Sequence, residues 1–190
     1  MYLIIGLGNP GLRYRNTRHN VGFMVLDQLS QRYHLKFKKG RNLFKKAFFQ
    51  VEKNDVVLVK PLTFMNLSGK VVKYLIDQIG LNDYSDILIV ADDINLPFGA
   101  IRLRGTGSSG GQKGLESIIQ YLHSADFPRL RLGIGNNLSD ASEYVLSRFN
   151  KEERQNLPII IKYAADAVES FVLDGLQLTM SKYNRNVLEK

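Results

Sequence analysis

Three histidines and no cysteine limit the nucleophilic and acid–base chemistry open to this chain. His34 stands among charged residues and His123 near a predicted helix end, positions that suit solvated or capping roles. His19 sits differently. It lies in Thr17-Arg18-His19-Asn20, shortly after the glycine-rich turn Gly6-Leu7-Gly8-Asn9-Pro10-Gly11. Asp92 follows the apolar run Ile87-Leu88-Ile89-Val90. Sites in open α/β sheets gather at the carboxyl ends of strands, which makes His19 and Asp92 candidates for one crevice. An Asp that accepts from one ring nitrogen fixes the tautomer and leaves the other nitrogen as an acceptor. A neutral imidazole held this way takes a proton from water. Water is the expected attacking group, since there is no Cys and no Ser in a nucleophile elbow. Position alone leaves open the alternative that Asp92 caps a turn and His19 is solvated.

Two other chemistries fit less well. Gly6, Gly8 and Gly11 match G-x-G-x-x-G, but a dinucleotide site needs a helix to start at the glycines and an acid about 20 residues on, at a strand end. Here Leu12 to Arg18 carries no helical apolar stripe, and Asp27 falls inside a predicted helix. A catalytic metal needs clustered His or carboxylate ligands, and Asp92-Asp93 alone is too sparse. Neither cofactor nor metal is expected.

These residues need elements to position them. Residues 1–6 predict a buried strand. Asn20 is placed to cap a helix with Val21, Val25, Leu26 and Leu29 at helical spacing. Ala47 to Val51 and Val56 to Leu58 predict a hairpin. Ser68 is placed to cap a second helix, with Val71, Val72, Leu75, Ile76 and Ile79 inward and Gly80 as its stop. Ile87 to Val90, Ile101 to Arg104 and Leu130 to Ile134 predict further strands, and Leu115 to Leu122 a short helix. The remainder is helical, with Pro158 opening or kinking the longest segment, Gly175 ending it and Leu176 to Tyr183 continuing. Strands alternating with helices, with a hairpin among them, predict an α/β fold with a mixed sheet. The length of 190 residues and the absence of linkers or repeats suit one domain over residues 1–190.

The chain is 44% hydrophobic and 23% charged, with a net charge of +8. No apolar run reaches the roughly 18 residues of a membrane span, and no secretion leader opens the chain. With no cysteine to oxidise, a reducing cytoplasm is the expected setting. The positive field attracts polyanions, nucleic acid first among them. Lys36, Lys38, Lys39, Arg41, Lys45 and Lys46 form one basic cluster, interleaved with Phe37, Phe44, Phe48 and Phe49. Arg102, Arg104, Lys113, Arg129 and Arg131 surround the loop Gly105 to Gly111, whose amides could turn inward to hold phosphate or which could form a plain mobile lid. Together these predict contacts to RNA phosphate. Phe64 and Met65 are read either as core cover or as a soft platform for an adenine or a peptide side chain.

The ordered set Gly6-Leu7-Gly8-Asn9-Pro10-Gly11, Tyr14, Thr17-Arg18-His19-Asn20, Thr63-Phe64-Met65-Asn66-Leu67-Ser68-Gly69, Asp92-Asp93-Ile94-Asn95-Leu96-Pro97, Gly110-Gly111 and Arg129-Leu130-Arg131-Leu132-Gly133-Ile134-Gly135 resembles the bacterial-type peptidyl-tRNA hydrolase family. The resemblance implies a single-domain three-layer α/β/α sandwich with a twisted mixed sheet, monomeric and free of metal and cofactor. It implies cleavage of the ester between a peptide and the 3′ end of tRNA, with peptidyl-tRNA as partner and no membrane. By the family pattern, His19 is the base that activates water and Asp92 orients it. Asn9 and Asn66 hold the peptide and help place the water, and Tyr14 and Met65 line the crevice. Arg102, Arg104 and Arg129 match positions that contact tRNA phosphate. The alternative is a non-catalytic RNA-binding module of the same fold, like the plastid intron-splicing relatives. RNA binding alone does not require the polar set Asn9, His19, Asn66 and Asp92.

One departure stands out. The family has His-Asn after the paired glycines, and this chain has Gln112-Lys113. Lys113 only donates and carries charge, so it is expected to aid phosphate or terminal-adenosine binding and to disfavour protonated His19.

Overall fold

The computed structural model describes residues 1–81, 83–135 and 140–189. Seven strands form one sheet: β1 (Tyr2–Gly6), β2 (Lys38–Gly40), β3 (Phe44–Val51), β4 (Asn54–Pro61), β5 (Ile87–Asp93), β6 (Ile101–Arg104) and β7 (Arg129–Gly133). Their spatial order is β2-β3-β4-β1-β5-β7-β6. The inner strands β4, β1, β5 and β7 run parallel. The β2–β3–β4 meander at one edge and β6 at the other run antiparallel to their neighbours, so the sheet is mixed.

Helices cover both faces. These are α1 (Val21–Arg32), α2 (Ser68–Ile79), α3 (Lys113–Leu122), α4 (Ala141–Leu146) and α5 (Lys151–Tyr183). Strand side chains alternate between two cores. Ile4, Leu88 and Val90 join Leu26 and Leu29 of α1 and Val168 and Phe171 of α5. Leu3, Ile5, Ile87 and Ile89 join Val71 and Leu75 of α2 and Leu115 and Ile118 of α3. A parallel strand covered on both faces has no polar side to show, which is why β1 and β5 read as unbroken apolar runs. The three layers expected from the sequence are present.

Two glycines bring α1 down onto the sheet. A Cβ on Gly22 would lie 2.4 Å from the Val90 carbonyl oxygen, and one on Gly6 would lie 2.4 Å from the Gly22 carbonyl oxygen. Gly6 is therefore a close-approach residue at the end of β1 rather than part of the turn. The approach sets the start of α1 against the carboxyl ends of β1 and β5.

Several local expectations change. The hairpin is longer than predicted, with β3 starting at Phe44 and β4 reaching Pro61, and β2 adds an edge strand. Ser68 is the first residue of α2, and its buried hydroxyl has no hydrogen-bond partner, so it does not cap. Asn20 precedes α1 but makes no side-chain cap either. Pro158 does not open the long helix, which starts at Lys151 behind a capping box of Asn150 and Glu153. Gly80 ends α2 in the left-handed region, at φ 72°. Gly175, at φ 78° and ψ 178°, breaks α5 where the sequence places the break. No described helix is long and apolar enough to cross a membrane.

Candidate active site

A crevice of about 420 Å³ opens at the carboxyl ends of β1, β4 and β5. Asn9 and Tyr14 reach it from the turn after β1, and His19 from a 3-10 turn (Arg18–Asn20) that leads into α1. Met65 and Asn66 come from a 3-10 turn after β4, Asp92 from the end of β5, and Gln112 and Lys113 from the start of α3. The four polar residues expected to converge, Asn9, His19, Asn66 and Asp92, thus line one space.

His19 Nδ1 lies 2.8 Å from Asp92 Oδ2. Asp92 is buried and His19 nearly so. A carboxylate this close assigns the proton to Nδ1, because an unprotonated Nδ1 would face it lone pair to lone pair. Nε2 is then the unprotonated nitrogen. The reading of Asp92 as a turn cap and His19 as solvated does not hold.

The 3-10 turn is anchored from behind. The Arg18 guanidinium makes a bidentate pair with Glu153, at 2.9 and 2.7 Å, and donates to the Ile134 carbonyl at 3.0 Å. It also stacks on Tyr144 and Phe149. Fork-to-fork pairing with a carboxylate fixes orientation as well as position, so the residue beside His19 has little freedom to move.

Asn9 is held through its backbone and its side chain. The Asn9 N–H donates to Asn20 Oδ1 at 2.8 Å, and Asn20 Nδ2 donates to the Asn9 carbonyl at 3.0 Å. The Asn9 side-chain oxygen accepts from the Met65 N–H at 2.9 Å. That bond ties the β1 turn to the β4 turn and sets which end of the Asn9 amide is the donor. Met65 is buried in the α2–α3 core and forms the floor, whereas Phe64 beside it is exposed on the rim. Met65 is therefore core cover that also faces the crevice, and Phe64 does not cover the core.

The basic residues divide. Lys113 is exposed on the crevice wall. Arg104 is exposed and Arg102 half-buried on the edge strand β6, outside the crevice. Arg129, expected to contact phosphate, is 1% exposed. Its guanidinium donates to the carbonyls of Gly107, Ser108, Ala125 and Phe127 and packs on the Phe127 ring. Burial, with the charge of Arg131 nearby, lowers its pKa to about 10, which still leaves it charged at neutral pH. With its donors committed to backbone oxygens, Arg129 has none to offer a polyanion. Its ties to Gly107 and Ser108 also turn those carbonyls, not the loop's amides, inward. The Asn95 side chain holds the Gly110 carbonyl at 3.0 Å. The first basic cluster lies on and beside β2 and β3, at the opposite edge of the sheet from Arg102 and Arg104.

Sequence reasoning missed the contacts of three side chains around the site. Arg18 was visible only as a neighbour of His19 and Asn20 only as an expected helix cap, and their partners lie 135 and 11 residues away. Gln112 was noted only as a departure. Among the described residues, no group of three His, Asp or Glu side chains is placed to hold a metal ion.

Comparison with known proteins finds relatives over nearly the whole chain. The family model described as peptidyl-tRNA hydrolase matches residues 3–190. A peptidyl-tRNA hydrolase of Fervidobacterium nodosum is 47% identical over 185 residues, covering 96% of this chain and 95% of that one. One of Chloroflexus aggregans is 45% identical over 186 residues, covering 97% and 99%. Among solved structures, the peptidyl-tRNA hydrolase of Acinetobacter baumannii superposes with a TM-score of 0.92 at 32% identity, covering 98% of this chain and 96% of that chain.

Proposed function

The chain belongs to the peptidyl-tRNA hydrolase family and is an enzyme that hydrolyses the ester bond of peptidyl-tRNA; on that premise we propose that His19, oriented by Asp92, is the base that activates the attacking water. The observation that carries this assignment is the 2.8 Å contact of His19 Nδ1 with Asp92 Oδ2 inside the crevice. Nε2 takes a proton as water attacks the ester carbonyl, and the carboxylate offsets the charge that builds on the ring. The imidazolium then returns the proton to the departing ribose oxygen. Asn9, with its oxygen bonded to the Met65 N–H, presents Nδ2 as a donor toward the carbonyl or the water. Asn66 in the same crevice holds the peptide, and Tyr14 and Met65 bound its path. Phosphates of the tRNA are met by Lys113 at the crevice mouth and by Arg102 and Arg104 on β6. The enzyme works as a monomer in the cytoplasm, without metal or cofactor. The binding-module alternative gives way to the hydrolase membership.

Release of free tRNA from a model peptidyl-tRNA tests the base. His19→Ala is expected to lower kcat by about 1,000-fold while leaving tRNA affinity within about twofold, because binding rests on phosphate contacts. Equal release by parent and variant would overturn the assignment.

A further inference from the structure

From the packing at the start of α3, we infer that Gln112 is a positioning residue for hydrolysis, acting through Asp92. Its side chain is nearly buried and makes three contacts. The amide oxygen accepts from the Leu115 N–H at 2.7 Å and caps α3. The amide nitrogen donates to Asp92 Oδ1 at 3.0 Å and lies 3.4 Å from Met65 Sδ.

The cap settles which end of the amide meets Asp92. An N–H such as that of Leu115 requires an acceptor, so the oxygen must face the helix, and the nitrogen must face the carboxylate. The helix start thereby works as an orientation device. Asp92 is held at both oxygens, Oδ2 by His19 and Oδ1 by Gln112. A carboxylate gripped at one oxygen only is free to rotate about its Cβ–Cγ bond, and the imidazole would follow it. Gripped at both, it holds the ring plane in one orientation. The amide is neutral, so it holds Asp92 without placing a further charge beside the ring.

Other groups around His19 leave this effect legible. The charged and titratable ones are Asp92 and Asp93 from β5, Lys113 from α3, and Tyr14 from the β1 turn. Asp93 lies 2.9 Å from the Arg131 guanidinium, and Arg18 is paired with Glu153. From α4 the crevice receives Ala141, Ser142, Val145 and Leu146, none of them titratable near neutral pH. Gln112 does not titrate either, so its donation persists at every working pH.

The inference rests on His19 and Asp92 as the base pair, and the test separates the two. Gln112→Glu keeps a cap for Leu115 and replaces the donor facing Asp92 with an acceptor. Gln112→Met removes donor and cap without adding charge. Each is assayed for tRNA release across pH, beside His19→Ala, with thermal unfolding as the control. Gln112→Glu is expected to lose some thermal stability, since two buried carboxylates then face each other, and, assayed below its own unfolding temperature, to lose about tenfold in kcat with KM within about twofold and move the acid limb of its pH–rate profile up by about one pH unit. Gln112→Met is expected to lose kcat by a similar factor when assayed below its own unfolding temperature. Parental kcat and acid limb in Gln112→Glu would overturn the inference and leave the amide a helix cap only. A loss in Gln112→Met confined to temperatures where it unfolds would overturn it as well. Activity in His19→Ala would instead overturn the base assignment beneath it.

Discussion

Asn20 grips both the N–H and the carbonyl of Asn9, at 2.8 and 3.0 Å, so the residue expected to cap a helix serves instead as a clamp on the turn after β1. Asn9 carries the donor proposed to face the substrate, and its position depends on this clamp as much as on its own side chain.

Asn20→Ala should therefore cost activity as well as stability. Losing two buried hydrogen bonds is expected to lower unfolding free energy by about 2 kcal/mol. Misplacement of Asn9 should lower kcat by about tenfold in addition. Urea unfolding and tRNA release, measured on the same preparation, check both parts. A variant that is less stable but fully active would show that the turn holds its shape without the clamp.

Arg129 and Arg104 should behave as opposites. Arg129→Met strips donors from backbone carbonyls in a closed interior and is expected to cost about 3 kcal/mol. Its tRNA binding, measured on folded protein, should keep the parental dependence on salt. Arg104→Ala should unfold as the parent does, but lower the slope of log affinity against log salt by about 1. Filter binding from low to moderate salt distinguishes them, and a reduced slope in Arg129→Met would restore that residue to the tRNA surface.

Lys60 gives a stability effect with a defined sign in pH. It is buried beside Phe23 and Phe37 and ion-paired with Asp27. Burial lowers its pKa from the usual lysine value, with smaller pushes from Lys45 and Arg15, while Asp27 opposes. Just below the ordinary lysine pKa the unfolded chain therefore holds more protons than the folded one. This residue's contribution to stability consequently rises as pH climbs toward that value. Asp27→Asn removes the opposing charge and is expected to cost about 1 kcal/mol at pH 7 and less at pH 9.5, where Lys60 more readily sheds its proton. Lys60→Met should be at least as stable as the parent at pH 7. Urea unfolding of all three proteins at the two pH values decides it, and an Asp27→Asn cost that grows with pH would refute the account.

Gly22→Ala reverses the usual helix rule. An alanine inside a helix is ordinarily worth about 1 kcal/mol over glycine. Here the new methyl would sit 2.4 Å from the Val90 carbonyl oxygen and 2.6 Å from the Leu7 backbone. Neither is a flexible side chain, so α1 must lift. A loss of about 3 kcal/mol is expected, together with a fall in kcat, since the turn bearing His19 leads directly into α1. Thermal unfolding and tRNA release follow both effects. A stabilised variant would show that the helix relaxes without cost.

Much of this was legible in the residues themselves, for physical reasons. Ile87 to Val90 has no polar member, because a central parallel strand is packed on both sides. Gly80 and Gly175 mark breaks because each adopts a backbone conformation that side chains disfavour. Asp92 and His19 were recognisable as candidates for one crevice, but their contact could not be read from position alone. Two of the misreadings concern side chains called away by distant partners: Asn20 is drawn to Asn9, and Arg129 is drawn inward by four carbonyls. No local pattern carries that information, since the competing partner appears only when the chain is folded. Strand β2 was missed for a related reason. Lys38 and Lys39 lie on an edge strand with little to bury, so they leave no apolar alternation to read.

Glu153 accepts from Arg18 and, through the same Oε2, from the N–H of Asn150 at the start of α5. The turn that bears His19 is thus fastened by a side chain 135 residues further along the chain. During synthesis His19 emerges well before the residue that fastens its turn. A growing chain that stops short of residue 153 carries most of the catalytic groups without the tie that holds them in place. Truncation ahead of Glu153 would thus separate the groups of the site from the side chain that fastens them.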